Sequence, residues 1–289
     1  MKTAELNSKC REYAAELVEA VRNEKNDRKL LDYFEFCSRF HCYSFQNRIL
    51  IWAQKRDAAL VAGFKAWQKM GRYVKKGEKG IAILAPMKIK KKNHDDPDRH
   101  GARSGGDEEI LLRFRVVYVW DVSQTDGDPI PESPDIMSVQ GNASGLLPAL
   151  EAVVSSQGIE LEYVDSLSIG TASGMSTGGA IKILELMNHE ERFHVLAHEL
   201  AHELLHDPQE KLSLPRKVKE LEAEATAFVV SRHFGLNTKA PTYLALYRVE
   251  EVDIMASLER IVSTASKVIK AVEHVFREGR KIEGIKKAA

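Results

Sequence analysis

The sequence feature that most constrains this chain is the segment at residues 193–206, FHVLAHELAHELLH. Apolar residues recur there at the spacing of an amphipathic helix. Asn188 and Glu191, just before it, match a capping box. His198 and His202 are four residues apart, so both project from one helix face, roughly 6 Å apart along the axis. Two imidazole nitrogens on that face can bind one divalent metal ion.

Glu199 follows the first of these histidines and completes the pattern His-Glu-x-x-His. Its carboxylate points partly to the same side without reaching the metal, which is where the base for a metal-held water belongs. His194 and His206 extend the four-residue ladder in both directions. They are candidates for extra ligands, proton shuttles or polar helix-end residues, and we favour a role other than metal binding for each.

A catalytic zinc site needs a third protein ligand beside an open position. Residues 219–231, KELEAEATAFVVS, offer Glu220, Glu222 and Glu224 on a second predicted helix. The ligand must lie on a face that packs closely against the metal helix, so the following turns should carry small residues. From Glu224 those positions hold alanine and serine, and from Glu222 they hold alanine and valine. We therefore predict Glu224 as the third ligand, Glu222 as the alternative and Glu220 as an outer partner of a histidine.

These two segments carry a family resemblance. HELAHELLH followed by ELEAEATAF resembles the ImmA/IrrE-type metallopeptidases, zincins whose ligands are His, His and Glu. The stretch from Glu224 to Gly235 is also similar to the metallopeptidase half of ArdC-type antirestriction proteins. The resemblance implies a zinc-dependent endopeptidase acting on a protein or peptide substrate, or a relative that has kept the Zn²⁺ site.

Composition excludes several classes of protein. With 42 basic and 42 acidic residues among 289, no global charge attracts nucleic acid or membrane, so such a partner needs a local patch. Three cysteines without a Cys-x-x-Cys motif argue against a disulfide scaffold or a structural zinc knuckle. The amino terminus does not resemble a signal peptide, and no apolar run reaches the length of a membrane span. The expected location is the cytoplasm, with no membrane partner.

The periodicity of apolar residues and the positions of turn-forming residues predict an α+β chain with two domains, divided at the proline-rich segment 124–141. The first domain, 1–130, is expected to be a helical bundle with a small antiparallel sheet, and for the second, 142–289, the resemblance implies a zincin-like metallopeptidase domain. Helices are predicted at 3–23, 28–40, 44–56, 64–70, 143–157, 189–206, 215–234 and 248–276. Strands are predicted within 72–84, at 110–122 and 158–163, and between 171 and 183, where a sheet edge could pair with an extended peptide. Residues 87–109 are predicted as a loop.

Residues 65–92 contain ten lysines and arginines against one glutamate, with aromatic residues interleaved. Cations that meet phosphates and rings that stack on bases are typical of single-strand binding. The alternative interpretation is a solvated lysine face with Trp52 and Trp67 in the core. Both interpretations follow from composition.

A second resemblance favours the nucleic-acid interpretation. The segments YSFQNRILI, FKAWQKMGRYVKKGEKG and VWDVSQT resemble the amino-terminal single-stranded DNA-binding domain of ArdC-type proteins, a module also found on some plasmid primases. The resemblance covers roughly residues 5–130. The loop at 91–109 departs from it, and His41 and Cys42 have no assignable role. The candidate DNA contacts are Asn47, Trp52, Lys65, Trp67, Arg72, Lys75, Lys76 and Lys79.

The sequence therefore predicts an ArdC-like antirestriction protein of a mobile genetic element that binds single-stranded DNA. It also predicts a zinc-dependent endopeptidase with His198, His202 and Glu224 as ligands and Glu199 as the catalytic base. The alternative is a non-catalytic protein that coats DNA or blocks a restriction enzyme, in which the metal only stabilises the second domain. A nuclease is less consistent with histidines flanked by glutamate.

Overall fold

The structure is a computed structural model, which describes residues 2–23, 28–90, 110–130, 141–167, 173–206, 214–237 and 253–288. Within these residues the chain forms two compact units. The first comprises Met1–Tyr13 with Ile49–Asp128, and the second comprises Ala14–Arg48 with Pro129–Ala289.

The chain is α+β, as predicted. Among the described residues, the final helix departs most from its predicted bounds, because it continues to Ala288. None of the described helices is both long and apolar enough to cross a membrane. The helices are α1 (Thr3–Asn23), α2 (Arg28–Arg39), α3 (Phe45–Gln54), α4 (Phe64–Lys69), α5 (Ala143–Ser156), α6 (His189–Leu205), α7 (Arg216–His233) and α8 (Ile254–Ala288).

The strands are short except for β3 and β4. β3 extends through Lys90 into the segment predicted as a loop at 87–109, and residues 91–109 lie outside the described part. The strands are β1 (Val61–Gly63), β2 (Arg72–Val74), β3 (Ile81–Lys90), β4 (Ile110–Asp121), β5 (Thr125–Gly127), β6 (Glu160–Val164), β7 (Gly174–Ser176) and β8 (Ala180–Leu184).

The first unit is built on β4. β1 and β3 pair antiparallel with it on either side, so that Gly63 and Ile81 both lie opposite Val119. β2 and β5 form a separate antiparallel pair. Trp67 of α4 is fully buried, and its indole Nε1 donates a hydrogen bond to the carbonyl of Trp120, 2.9 Å away. This bond fixes α4 against the central strand.

Asp121 ends β4 and is 1% exposed. Its Oδ1 accepts from the backbone N–H groups of Ala59 (2.8 Å) and Leu60 (3.1 Å). Its Oδ2 accepts from the Ser123 N–H (2.9 Å) and hydroxyl (2.6 Å). Burial alone would raise the pKa of this carboxyl, but the four donors outweigh it and lower the pKa. One ionised side chain therefore ties together the loop before β1 and the turn after β4.

The second unit places helices against a three-stranded sheet. β8 is central, with β6 parallel to it on one side and β7 antiparallel on the other, so β7 is an edge strand. α6 packs against α7, and α7 packs against α8. Residues with small side chains on α7 are fully buried and let the helices approach closely: Ala223, Ala225, Ala227 and Ser231.

α6 begins as its sequence predicts. The Asn188 side chain accepts from the Glu191 N–H at 2.9 Å, and the Glu191 carboxylate accepts from the Asn188 N–H at 3.3 Å. This capping box satisfies two amides that a helix start otherwise leaves unpaired. The register of α6, and with it the direction of His198 and His202, is fixed from this cap.

The predicted first domain, 1–130, includes residues 14–48, but in the structure these residues belong to the second unit. The carbonyl of Ser38 at the end of α2 accepts from Nδ1 of His233 on α7 (2.8 Å), and Glu35 pairs with Arg232 (2.6 Å). The buried Arg48 donates to a carbonyl of α8 at 2.9 Å. These bonds to residues distant in sequence explain why a division read along the chain misplaces α2.

We predict that Asp121→Asn destabilises the folded protein by about 2–3 kcal/mol at neutral pH, because an amide nitrogen would face two N–H or O–H donors on one side. The lowered pKa of the carboxyl means that its contribution is present above the unfolded value of about 3.9 and is lost as pH falls through the folded value. Urea denaturation at several pH values measures this. The difference between parent and variant should shrink in acid.

The matched control is Asp126→Asn, because that carboxylate is exposed and lies 3.5 Å from the Lys75 ammonium. It should change stability by no more than about 1 kcal/mol. Equal stability of the Asp121 variant and its parent would contradict the anchoring role.

Candidate functional site

His198 and His202 of α6 face each other through their Nε2 atoms, which are 3.1 Å apart. Two ligands of a tetrahedral ion with bonds of about 2.0–2.1 Å lie about 3.3 Å apart. The spacing of the two nitrogens therefore matches a shared metal ion. Their side chains are 19% and 15% exposed, so the pair is largely shielded from water yet reachable.

Glu220 of α7 brings a carboxylate to this pair. Its Oε2 lies 3.6 Å from Nε2 of His198 and 3.5 Å from Nε2 of His202. One donor atom from each of the three residues falls within 4.8 Å of the others. The structure thus assembles His198, His202 and Glu220 around one point, whereas the sequence had favoured Glu224.

Glu224 contacts the other side of the same imidazole. Its Oε2 lies 3.0 Å from Nδ1 of His198, and its Oε1 lies 3.2 Å from Nε2 of His194. In the structure the Glu224 carboxylate contacts the Nδ1 side of His198 rather than the shared Nε2 atoms, and its role as a ligand stays a prediction. Because α7 crosses α6 closely, residues one turn apart reach opposite nitrogens of one ring. His194 also contacts Ser231 at 3.3 Å, and its ring is not part of the donor triangle.

Glu222, the alternative ligand, is fully buried elsewhere. Its carboxylate accepts from the Ser257 hydroxyl (2.6 Å) and pairs with the guanidinium of Arg260 on α8. It also lies 3.2 Å from Nε2 of His206. These partners satisfy the buried charge and leave no free oxygen for the donor triangle.

His206 connects Glu222 to the donor triangle. Its Nδ1 is 3.1 Å from Nδ1 of His202. One tautomer pattern satisfies every bond: His202 Nδ1–H donates to His206, and His206 Nε2–H donates to Glu222. That pattern leaves the lone pair of His202 Nε2 directed at the triangle, which is how a carboxylate fixes a metal-binding histidine.

The pKa values reflect these contacts. Burial alone would lower the pKa of His198, but hydrogen bonds to Glu220 and Glu224 raise it to about 9. Burial would raise the pKa of Glu224, but its hydrogen bonds with His194 and His198 lower it to about 2. Hydrogen bonds with His198 and His202 lower the pKa of Glu220 below its usual value.

Glu199 is 7% exposed and lies beside the histidines. Burial raises its pKa, against the opposing effect of His198 and His202. It also approaches β7 closely: a Cβ at Gly174 would lie 2.6 Å from its Oε1. A carboxylate with a raised pKa is better able to accept a proton near neutral pH.

A cleft of about 500 Å³ opens over the triangle between α6, α7 and β7. Arg216 and Lys219 supply positive charge at its α7 wall, and Met175 and Val195 supply apolar surface. The edge strand, the donor triangle and Glu199 therefore face one space.

The predicted DNA contacts are distributed differently from expectation. Trp67 is fully buried, Trp52 is 6% exposed and Asn47 is 8% exposed. The prediction that these two rings stack on bases is corrected, since both lie in the core. The guanidinium of Arg72 is hydrogen-bonded within the first unit, where it donates to the hydroxyl (2.9 Å) and carbonyl (3.0 Å) of Thr125.

The remaining predicted cations do reach solvent. Lys65, Lys75, Lys76 and Lys79 are all exposed, and Lys75 donates to the Ser123 carbonyl at 3.1 Å. The side chains of the later lysines in the cluster, Lys88, Lys90, Lys91 and Lys92, lie outside the described residues. The described cluster is thus a lysine surface on the first unit.

None of the exposed rings of the first unit is among the predicted DNA contacts, although Phe64 and Tyr73 belong to the aromatic residues interleaved with the lysines. Phe64 is 47% exposed, Tyr73 61%, Phe114 49% and Tyr118 45%. Phe114 and Tyr118 lie on one face of β4, and the ring of Phe64 packs edge-on against Trp120 of the same face (6.0 Å between centroids). Strand alternation places Phe114 and Tyr118 on one face of β4, and only packing reveals that this face is open.

Comparison with known proteins agrees with this architecture. The chain is 22% identical to pXO2-81, an uncharacterized protein of Bacillus anthracis, over 91% of this chain and 51% of the relative. It spans about half the length of that curated relative.

Two crystal structures of the antirestriction ArdC protein from the R388 plasmid superpose on it. The Mn(II)-bound structure aligns with a TM-score of 0.51 at 13% identity, covering 93% of this chain and 97% of that one. The metal-free structure aligns with a TM-score of 0.49 at 16% identity, covering 82% and 86%. The Mn(II)-bound comparison shows a shared fold.

A family model gives the most specific match. Residues 8–120 of this chain match the N-terminal domain of the anti-restriction factor ArdC.

Proposed function

We propose that this chain is an ArdC-like antirestriction protein that binds single-stranded DNA and hydrolyses peptide bonds at a metal centre. The observation that carries the peptidase part is the convergence of His198, His202 and Glu220 beside Glu199 in one cleft. The match of residues 8–120 to the ArdC N-terminal domain supports the antirestriction and DNA-binding parts.

The donor set fits a catalytic zinc ion. Two imidazoles and one carboxylate leave a fourth position open, and this set is usual for zinc hydrolases. The solved ArdC protein carries Mn(II), and for this chain we infer Zn²⁺ because two of the three donors are nitrogen. When bound, zinc would polarise a carbonyl and lower the pKa of a water toward about 7.

The chain's own residues would divide the remaining work. Glu199, buried and with a raised pKa, would accept a proton from water and deliver it to the leaving amine. Glu224 would hold the His198 ring through Nδ1, and His206 backed by Glu222 would hold the His202 ring. Both metal-binding nitrogens would thereby keep their direction during the reaction.

An extended peptide would add to β7. This strand is at the edge of its sheet within the described residues, and Gly174, Met175 and Ser176 border the cleft. Strand addition at such an edge aligns a substrate through main-chain hydrogen bonds and leaves its side chains in alternate directions. The scissile carbonyl would then lie over the donor triangle, within reach of Glu199.

Single-stranded DNA would bind the first unit through exposed rings and lysines. Phe64, Phe114 and Tyr118 offer stacking faces, and Lys65 is exposed beside Phe64 in the sequence. Base stacking is tolerant of sequence, and lysines meet phosphates without reading bases. We therefore propose binding with little sequence preference.

Replacing Glu199 with Gln should abolish peptide hydrolysis while zinc binding and folding are retained, because an amide cannot accept the proton. The measurement is cleavage of a generic unfolded protein, such as casein, with zinc content determined on the same sample. Glu190→Gln, an exposed glutamate in the first turn of α6, is the matched control and should cleave like the parent. Cleavage by the Glu199 variant at the parental rate would show that Glu199 is not the base. A parent that never cleaves would favour the non-catalytic alternative.

The third ligand can be identified by zinc affinity. Glu220→Gln should weaken zinc binding more than Glu224→Gln, because only Glu220 meets both Nε2 atoms. Loss of the orienting carboxylate of Glu224 should cost about 10–100-fold in affinity. Competition with a zinc chelator measures both variants. A larger loss in the Glu224 variant would restore Glu224 as the ligand.

The proposed roles of the aromatic rings and of the lysines in DNA binding can be tested separately. Phe114→Ala combined with Tyr118→Ala should weaken single-stranded DNA binding by about 1–3 kcal/mol per stacked base, with the salt dependence unchanged. Lys76→Gln combined with Lys79→Gln should reduce the slope of log affinity against log salt by about 0.7 per lost phosphate contact. Fluorescence anisotropy with a labelled oligonucleotide measures both. Lys267→Gln, an exposed lysine of the second unit, should leave the slope unchanged. Parental binding by the double aromatic variant would exclude this stacking surface.

A further inference from the structure

A side recess opens from the cleft beside His202. Its volume is about 230 Å³, less than half of the 500 Å³ of the cleft, so it suits one side chain rather than a further length of peptide. The recess and the cleft share three lining residues, Ser176, His202 and Lys219. The other walls of the recess are the turn after β7 and the carboxyl end of α6, with Thr177, Gly178, Glu203 and His206.

The turn after β7 is fixed by Glu203 of α6. Oε1 of this carboxylate accepts from the Gly178 N–H at 2.9 Å, and Oε2 accepts from the Gly179 N–H at 2.7 Å. Both glycines have positive φ angles, 76° and 104°, which residues with a side chain rarely adopt. One wall of the recess is therefore preformed. Both oxygens of Glu203 are also engaged by amide donors of the chain itself.

Lys219 stands where the recess meets the cleft. It lies in the first turn of α7 and is half-buried. Its ammonium has neither an ion-pair partner nor a hydrogen-bond partner among the described residues. Arg216, one turn earlier, is by contrast 89% exposed and lies 3.7 Å from Glu220. Lys219 is thus a cation without a counter-charge, held at the mouth of a preformed recess.

The recess offers this ammonium no competing cation. Burial lowers the pKa of His206, and the positive charge of Lys219 adds to that effect, so the imidazole stays neutral at physiological pH. A carboxylate entering the recess would therefore meet the ammonium and a neutral ring. Because Lys219 is half-buried, such an ion pair is screened less than one on the open surface.

β7 leads from Glu199 to the recess. A Cβ at Gly174 would touch the Glu199 carboxylate, and Ser176, two residues further along the strand, borders both the cleft and the recess. At about 3.3–3.4 Å per residue, the recess lies roughly 7 Å along the strand from Glu199. A peptide added to β7 turns alternate side chains to the same side. One of its side chains within two residues of the scissile bond would then face the recess.

We propose that the recess is a specificity subsite in which Lys219 binds a substrate carboxylate within two residues of the scissile bond. The position of that bond rests on the proposed peptidase function, whereas binding of the carboxylate needs only the cleft and the recess. The substrates are acidic peptides, and the bound group is an Asp or Glu side chain or a terminal carboxylate. A neutral side chain in the recess would leave the ammonium without a partner, and that difference in binding is the source of the specificity.

The first test maps the bonds that the zinc-loaded full chain cleaves in casein, by mass spectrometry of the products. Asp and Glu should be enriched about three- to tenfold at one fixed position within two residues of the cleaved bond. Lys219→Gln should remove this enrichment, and Lys219→Glu should reverse it toward Lys and Arg. Lys217→Glu, exposed on α7 and outside both linings, is the matched control and should keep the parental pattern.

Cleavage confined to the carboxyl-terminal residues of casein, and lost in Lys219→Gln, would identify the terminal carboxylate as the bound group. Cleavage with neither pattern, or an acidic preference that Lys219→Glu retains, would overturn the subsite while leaving the peptidase function in place.

The second test measures binding without hydrolysis, in the zinc-loaded Glu199→Gln variant. Two fluorescein-labelled extended peptides differ only in carrying glutamates or glutamines, and each is made with a free and an amidated carboxyl terminus. Fluorescence anisotropy should show the amidated glutamate peptide binding about three- to tenfold more tightly than the amidated glutamine peptide. Adding Lys219→Gln should abolish the difference, whereas adding Lys217→Glu should preserve it. A parental melting temperature of the Lys219→Gln variant confirms that it folds.

A gain in affinity that follows only the free terminus, and that Lys219→Gln removes, would assign the recess to the terminal carboxylate. Equal affinity for all four peptides, or a preference that survives Lys219→Gln, would refute the subsite. A parent that never cleaves casein, with the Lys219-dependent preference intact, would instead exclude the peptidase function and leave a cleft that binds acidic peptides.

Discussion

The second unit depends on a buried carboxylate. Glu222 is fully enclosed, and a charge in that position is tolerated only because Arg260 and Ser257 of α8 and His206 of α6 surround it. The same contacts join three helices at one point. His206 in turn contacts His202. The contacts that stabilise the buried charge therefore also orient the His202 imidazole in the cleft. Glu222 thus contributes both to the packing of the three helices and to the orientation of His202.

The helix that carries His198 and His202 could be predicted from sequence because its evidence is local. The four-residue spacing of His198 and His202 and the Asn188 cap are properties of one helix, and helix geometry converts them into direction. The choice of a third ligand among Glu220, Glu222 and Glu224 depends instead on contacts between helices. Glu220 and Glu224 share a face of α7, and both touch His198 on different nitrogens. Only the crossing of α7 over α6 decides which one meets the shared lone pairs.

The first unit shows the same limit. Strand alternation puts Phe114 and Tyr118 on one face of β4, but alternation does not say which face another element covers. Trp67 was a candidate for stacking because it lies among lysines, yet its N–H bonds to Trp120 and its ring fills the core. Likewise, α2 precedes the first sheet in sequence but bonds to α7, through Ser38 and His233. Contacts between distant residues decided each case.

The cleft is sensitive to any substitution at Gly174. The backbone of β7 comes so near Glu199 that a single methyl group at this position would overlap the carboxylate. The donor triangle on α6 and α7 makes no use of that space. A substitution at Gly174 would therefore displace the Glu199 carboxylate while the residues of the donor triangle stay unchanged. The absence of a side chain at residue 174 is therefore a steric requirement of the cleft, set by the carboxylate and by the Val195 side chain beside it.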